Sequence, residues 1–184
     1  MVVVIVILVI VVVLVVAGIS IYNGIVQKRN RVDNAWQNID ANLQRRNDLI
    51  PNLVETVKGY AKHESGTFEA VTEARAAVAA APTPQAAMEA SDMLTGALRQ
   101  LFAVAEGYPD LKASANFINL QQQLDETDNR IVYARQSYND CVYLYNTAIQ
   151  TFPGNLVAGI GNFTAKDGFN VTDSSVRNAP EVRF

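Results

Sequence analysis

No charged side chain precedes Lys28, and Met1 to Ile21 is almost wholly Val, Ile and Leu. At 1.5 Å per residue, about 20 apolar residues in a helix cover the roughly 30 Å of bilayer hydrocarbon. The many β-branched residues would suit a strand in water. In lipid a lone strand leaves its backbone donors and acceptors unpaired, so a helix is expected. A cleaved signal peptide usually has a basic start, a shorter apolar core and a small-residue cleavage site. Here no Lys or Arg precedes the run, and Ala17-Gly18 is the only weakly cleavable spot. Residues 1–23 are therefore expected to form an uncleaved single-pass anchor in the cell membrane, with the lipid bilayer as the first partner. No Cys near its end offers a site for lipidation.

The juxtamembrane basic residues Lys28, Arg29 and Arg31 follow the anchor directly. By the positive-inside rule they place the C-terminal part in the cytoplasm, a bias to which Arg45 and Arg46 add. The remaining 160 or so residues suffice for one domain with one core. Their formal charge of −3, without a basic cluster beyond the juxtamembrane one, argues against nucleic acid. One Cys precludes an internal disulfide and one His precludes most zinc sites. Cys141, within an apolar periodic stripe, is expected to be a small buried hydrophobe.

Helical periodicity dominates the soluble part. From 117 to 148, apolar or small residues recur at alternating steps of three and four: Phe117, Leu120, Leu124, Thr127, Ile131, Ala134, Tyr138, Cys141, Tyr145, Ala148. That spacing is one buried seam on a long helix, which Phe152-Pro153-Gly154 ends. A second seam follows the anchor in unbroken phase: Val32, Trp36, Ile39, Leu43, Arg46, Ile50, Leu53, Val57, Tyr60. Pro51 falls inside it and removes the bond to the carbonyl of Asn47, so a kink or a very tight break is expected there. A shorter helix is predicted from Ser65, as N-cap, to Ala81, and another along Ala87, Ser91, Leu94, Leu98, Leu101 and Ala105. Short breakers between apolar stripes imply antiparallel neighbours. The expected fold is all-α: the transmembrane helix leads into an antiparallel four-helix bundle over 24–151. Residues 152–184, rich in Gly and Asn and without helical period, read as an irregular tail in which Phe163, Phe169, Val171, Val176 and Phe184 pack on the bundle or on a neighbouring subunit. Asn162-Phe-Thr and Asn170-Val-Thr match a glycosylation pattern that is common by chance.

No catalytic, metal or cofactor constellation stands out. There is no G-x-S-x-G, P-loop, H-E-x-x-H or C-x-x-C. His63-Glu64 reads as a solvated helix end, and the acidic group Asp125, Glu126, Asp128 lacks converging ligands from other helices. Arg46 is the anomaly, because its seam position calls for an apolar side chain. Either Arg45 or Arg46 pairs across the bundle with Asp125, Glu126 or Asp128, or Arg46 lies at the margin with its head in water.

The segments Arg29-Asn30-Arg31-Val32, Ala35-Trp36 and Arg45-Arg46-Asn47-Asp48-Leu49-Ile50-Pro51-Asn52-Leu53-Val54-Glu55-Thr56-Val57-Lys58-Gly59-Tyr60-Ala61 closely resemble the LemA family. Further matches are His63-Glu64, Ala74-Arg75, Tyr108-Pro109-Asp110-Leu111-Lys112-Ala113, Asn116-Phe117, Leu120-Gln121, Ala134-Arg135, Tyr138-Asn139, Tyr145-Asn146 and Phe152-Pro153. The resemblance implies a bacterial single-pass membrane protein with a four-helix bundle and no established reaction. Family genes often lie beside those of membrane zinc metallopeptidases, which makes such a peptidase a candidate partner. Some relatives carry a lipidated cysteine in place of the anchor, which puts their bundle outside the cytoplasm and leaves sidedness open against the charge rule.

Two functions follow as expectations. One is a non-enzymatic scaffold that self-associates to organise or remodel the membrane, with Ser20-x-x-x-Gly24 as the anchor contact. The other is an adaptor presenting its bundle to a membrane protease or other envelope protein. Structural or interaction candidates are Arg45, Arg46, Asp48, Pro51, Asn52, Glu126 and Arg135, with Glu55, Lys58, Asn116, Asn139 and Asn146 beside them. These polar residues either form an interaction surface or tie the helices to each other and to the tail.

Overall fold

The computed structural model describes residues 1–61 and 64–169. His63, Asn170, Val171, Val176 and Phe184 lie outside the described residues. Among those described the chain is all-α, without a strand. Its helices are α1 (Val2–Lys58), α2 (Ser65–Ala80), α3 (Pro84–Glu106), α4 (Pro109–Lys112), α5 (Ala115–Gln150) and α6 (Gly154–Ile160). The chain packs as two compact units. One is Asn30–Tyr138, and the other joins Met1–Arg29 to the residues from Asn139 on.

α1 is a single helix, continuous through both Gly24 and Pro51. No break occurs at Pro51, and the reason lies on α2. The ring nitrogen of Pro51 cannot donate to the carbonyl of Asn47; instead Arg75 Nε donates to that carbonyl at 3.1 Å. A buried carbonyl left without a donor costs about 1–3 kcal/mol, and here a neighbouring helix supplies the bond that the proline removes. In Pro51→Ala the alanine N–H can take over. Arg75→Ala is therefore expected to cost about 1–2 kcal/mol in the wild-type chain and markedly less beside Pro51→Ala. Urea unfolding of the four chains of this cycle measures the coupling, and equal costs in both backgrounds would contradict it.

The core of the Asn30–Tyr138 unit is shared by all five helices that enter it. Ile50, Leu53 and Val57 of α1, Phe68 and Val71 of α2, Leu94, Leu98 and Leu101 of α3, Leu111 of α4, and Phe117, Leu120 and Leu124 of α5 are all buried. Each such side chain contributes about 1.5–3 kcal/mol of transfer free energy. The α1 seam is buried as expected, except that Trp36 is half-buried and Tyr60 is exposed beyond the helix end. Thr83, not foreseen, caps α3 by accepting from the Ala86 N–H at 3.2 Å, with Pro84 in the first turn. Ser65 is the first residue of α2 rather than its cap; Glu64 holds that position without a side-chain cap bond.

The α5 seam needs one correction. Beyond Tyr138 the buried positions are Val142, Tyr145 and Ile149, while Cys141 is only half-buried, as is Ala148. An α-helix turns by about 20° per heptad relative to a strict three-four alternation. Over three heptads from Phe117 the seam therefore moves forward by one residue, carrying Cys141 off the buried face.

In the other unit, residues 164–169 run extended along α5 and are held by its polar side chains. Asn139 donates from Nδ2 to the Phe169 carbonyl and accepts at Oδ1 from the Phe169 N–H, both at 2.8 Å. Asn146 repeats this on Lys166, at 2.8 and 3.0 Å. Tyr145 Oη donates to the Thr164 carbonyl at 2.8 Å. The registers match: seven helical residues rise about 10.5 Å, and three extended residues cover about 10 Å. Each carboxamide thus acts as a one-residue strand partner. The segment after Phe152 is not wholly irregular, because α6 forms at once from Gly154. A helix of two turns is too short to show a period, and its glycines hide it further. Gly154 makes its close approach to α5 feasible: a Cβ there would lie 2.1 Å from the Ala148 carbonyl oxygen.

Candidate functional site

The buried polar centre of the Asn30–Tyr138 unit is built around Arg46. Its position on the α1 seam directs it inward, and the residue is 3% exposed. From there the guanidinium reaches two other helices. On α3, Nη1 donates to the Ser91 hydroxyl at 3.0 Å and to its carbonyl at 3.3 Å, and Nη2 donates to Thr95 Oγ1 at 2.9 Å. On α5, Nε lies 3.0 Å from Asp128 Oδ1 and Nη2 donates to Oδ2 at 3.4 Å. The Nε approach is a charge contact, too far off-axis to serve as a hydrogen bond for either atom. Thr95 in turn donates to the Ser91 carbonyl at 2.9 Å.

Both charges are under strain from burial. Loss of solvent lowers the Arg46 pKa, with Asp128 and then Asp92 opposing that shift. Loss of solvent likewise raises the Asp128 carboxyl pKa; Arg46 opposes this, and Asp125 adds to it. Desolvation thus outweighs attraction on each side of the pair, the usual balance for ions drawn into a protein interior. The carboxylate retains 43% side-chain exposure and the guanidinium 4%, so the uncompensated risk falls on the arginine.

The other candidates fall elsewhere. Arg45 is exposed. Glu126 pairs with Arg130 one turn on, at 2.6 Å, and that hydrogen bond, reinforced by the charge of Arg130, holds its carboxyl below the usual range. Asp48 accepts from Gln44 Nε2 at 2.8 Å, and Glu55 pairs with Lys58 at 3.2 Å, both on the α1 surface. Asn52 is exposed, its carbonyl taken by Thr56 Oγ1, and Thr56 accepts from Asn116 of α5 at 3.0 Å. Arg135 approaches Asp92 at 3.8 Å, a second interhelical charge contact, this one between α5 and α3. Ser20 is exposed, and a Cβ at Gly24 would meet nothing within 4 Å.

Chemically the centre is a tie. A guanidinium held by two hydroxyls, a carbonyl and a carboxylate joins α1 to both α3 and α5. Among the described residues no group of three or more His, Cys, Asp or Glu is placed to hold a metal ion. Ser91 was legible only as a small member of an apolar stripe, and Thr95 carried no signal; a serine facing an arginine across two seams was the available clue.

The LemA family model matches residues 35–184. The chain belongs to the LemA family. It is 27% identical over 140 residues to Protein LemA of Metamycoplasma hominis, covering 74% of this chain and 63% of that protein. It is 25% identical over 174 residues to Magnetosome protein MamQ 2 of Paramagnetospirillum magneticum (80% and 64%). To Magnetosome protein MamQ of Magnetospirillum gryphiswaldense it is 23% identical over 175 residues (81% and 64%). The chain thus spans a little under two thirds of the length of these relatives. With one helix among the described residues long and apolar enough to cross a membrane, this member of the LemA family is a membrane-associated helical protein.

Proposed function

We propose that this protein is a non-enzymatic, membrane-anchored scaffold whose copies associate to organise or remodel the bilayer, with the helical part on the cytoplasmic side. The observation that carries the proposal is the state of the anchor. Val2 to Val16 are exposed, and none of the described residues covers them. A Val/Ile-rich helix in lipid gains its neighbours by side-chain packing and close approach at small residues. Ser20, which is exposed, and Gly24, where a Cβ would meet nothing within 4 Å, supply such a surface. That two relatives are named for the magnetosome rather than for a reaction supports the same direction.

The test is retrieval between copies. Two differently tagged full-length chains are co-expressed and extracted into native nanodiscs. Capture of one brings down the other, and Ser20→Leu with Gly24→Leu lowers the retrieved fraction. Failure of either tag to retrieve the other removes the scaffold. Retrieval of one copy with a stoichiometric envelope protein, such as a membrane zinc metallopeptidase, establishes the adaptor reading in its place.

A further inference from the structure

We infer that α6 and the turn before it form a second membrane contact, lying in the headgroup and acyl boundary beside the anchor. It rests on Met1–Ile21 being the span. Three observations within the unit of Met1–Arg29 and Asn139 onward converge on it. The first is exposure. Phe152 is 78% exposed, Leu156 60% and Ile160 86%. Leu156 and Ile160 stand four residues apart on one face of α6, and Phe152 is exposed in the turn just before it. Such an apolar row on so small an element is unusual in water.

The second is position. Immediately after Ile160, the Cβ that Gly161 lacks would lie 3.2 Å from the Tyr22 ring, and Phe163 packs on the same ring with centroids 5.3 Å apart. Tyr22 directly follows the apolar run that ends at Ile21, where an aromatic ring sits at the membrane–water boundary. α6 therefore ends at the depth where the bilayer surface is expected. Arg29, one of the three juxtamembrane cations, lies over the other side of this cluster, 5.5 Å from the Phe163 centroid.

The third is charge. Residues 141–165 contain no Asp, Glu, Lys or Arg, and neither do residues 1–27. Every side chain on α6 and on the last two turns of α5 is uncharged, and the exposed ones include Tyr143 and Leu144. Charges resume at Lys28, Asp140 and Lys166. An uncharged collar continuous with a spanning helix fits an interface of intermediate polarity, and an apolar helix face there adds affinity in proportion to the area it buries. The occupant is the lipid surface itself.

Nitroxide labels on the full-length protein in phosphatidylcholine/phosphatidylglycerol vesicles decide it. Single cysteines are placed at Phe152, Leu156 and Ile160, at Val9 as the lipid control and at Asp140 as the aqueous control, all in a Cys141→Ala background. All but Cys141 are exposed positions, so each label is expected to leave the helical far-ultraviolet signal unchanged, and a chain that loses it is replaced by the next exposed position of α6. Collision with oxygen exceeds collision with a water-soluble nickel complex at Leu156 and Ile160, as at Val9, and the order reverses at Asp140. Water-like accessibility at α6 with lipid-like accessibility at Val9 overturns the inference and leaves the anchor standing. Water-like accessibility at Val9 as well removes both. Protection from both reagents with spin–spin broadening means that a second copy covers α6, and overturns it too.

Discussion

Asp128→Ala is expected to destabilise the Asn30–Tyr138 unit by about 2–3 kcal/mol, while Arg46→Met costs less than half as much. The asymmetry follows from exposure. Removing the carboxylate strands a guanidinium that is almost fully buried, with Ser91 and Thr95 as its remaining partners. Removing the arginine leaves a half-exposed carboxylate that water can reach, and a Thr95 hydroxyl that still donates to the Ser91 carbonyl within α3. Loss of one member of a fully buried pair costs about 3–5 kcal/mol, and the open side of Asp128 brings that figure down. Replacing both members together is expected to recover most of the loss, since apolar residues of similar volume replace buried ion pairs at little cost.

Acid does not mimic the deletion. Burial raises the folded-state pKa of Asp128, so the native chain binds this proton more readily than the unfolded one. The contribution of the group to stability is fully present below the unfolded value and is lost as pH rises through the folded value. A protonated carboxyl still accepts from Arg46, as does the amide in Asp128→Asn, and that variant is expected to unfold close to wild type at neutral pH. Urea titration in detergent at two pH values, followed by Trp36 fluorescence, measures all of these. An Arg46→Met loss as large as that of Asp128→Ala would show that the network is held from the arginine side.

Gly154→Ala is the second large effect. The new methyl would lie 2.1 Å from the Ala148 carbonyl oxygen and 3.3 Å from its carbon. The obstacle is backbone at the end of α5, which cannot rotate aside. Overpacking costs about 1–3 kcal/mol where side chains can adjust, and the upper part of that range is expected here, with α6 displaced from α5. Gly159→Ala is the matched control. It lies in the same helix with nothing within 4 Å of its Cβ, and alanine there gains up to about 1 kcal/mol of helix propensity. Thermal unfolding of the two variants separates steric need from general intolerance of α6, and equal midpoints would contradict the close-approach account.

Much of the architecture was legible because the seams are long. A run of apolar residues from Val32 to Val57, interrupted only by Arg46, leaves little freedom in where α1 faces. The same length makes small errors accumulate: Cys141 was placed inside because a three-four alternation drifts against a 3.6-residue turn. Pro51 was read locally, as a defect, whereas its repair comes from Arg75 on another helix, a relation that spacing does not reveal. Seven residues of α6 gave no period, and its exposed Leu156 and Ile160, with Phe152 in the turn before it, look like an ordinary irregular tail until the neighbouring Tyr22 is known.

The candidate site was legible to a lesser degree. Arg46 was conspicuous as a charge on an apolar seam, and three acidic residues on α5 were the available partners. Choosing Asp128 over Glu126 requires knowing that Glu126 points along its own helix to Arg130. The carboxamides Asn139 and Asn146 read equally well as surface or strap, because a residue type that can donate and accept with one group serves both. Their spacing of two helical turns, matched to three extended residues, is visible only with both segments in place.

The central claim, association of anchored copies, is tested most directly by mass. The full-length protein is extracted into native nanodiscs or a mild detergent and weighed as single particles over a dilution series. The account predicts a closed particle of several copies that persists on dilution, and a smaller one for Ser20→Leu with Gly24→Leu. A particle of one chain at every concentration, unchanged in the double variant, would contradict it.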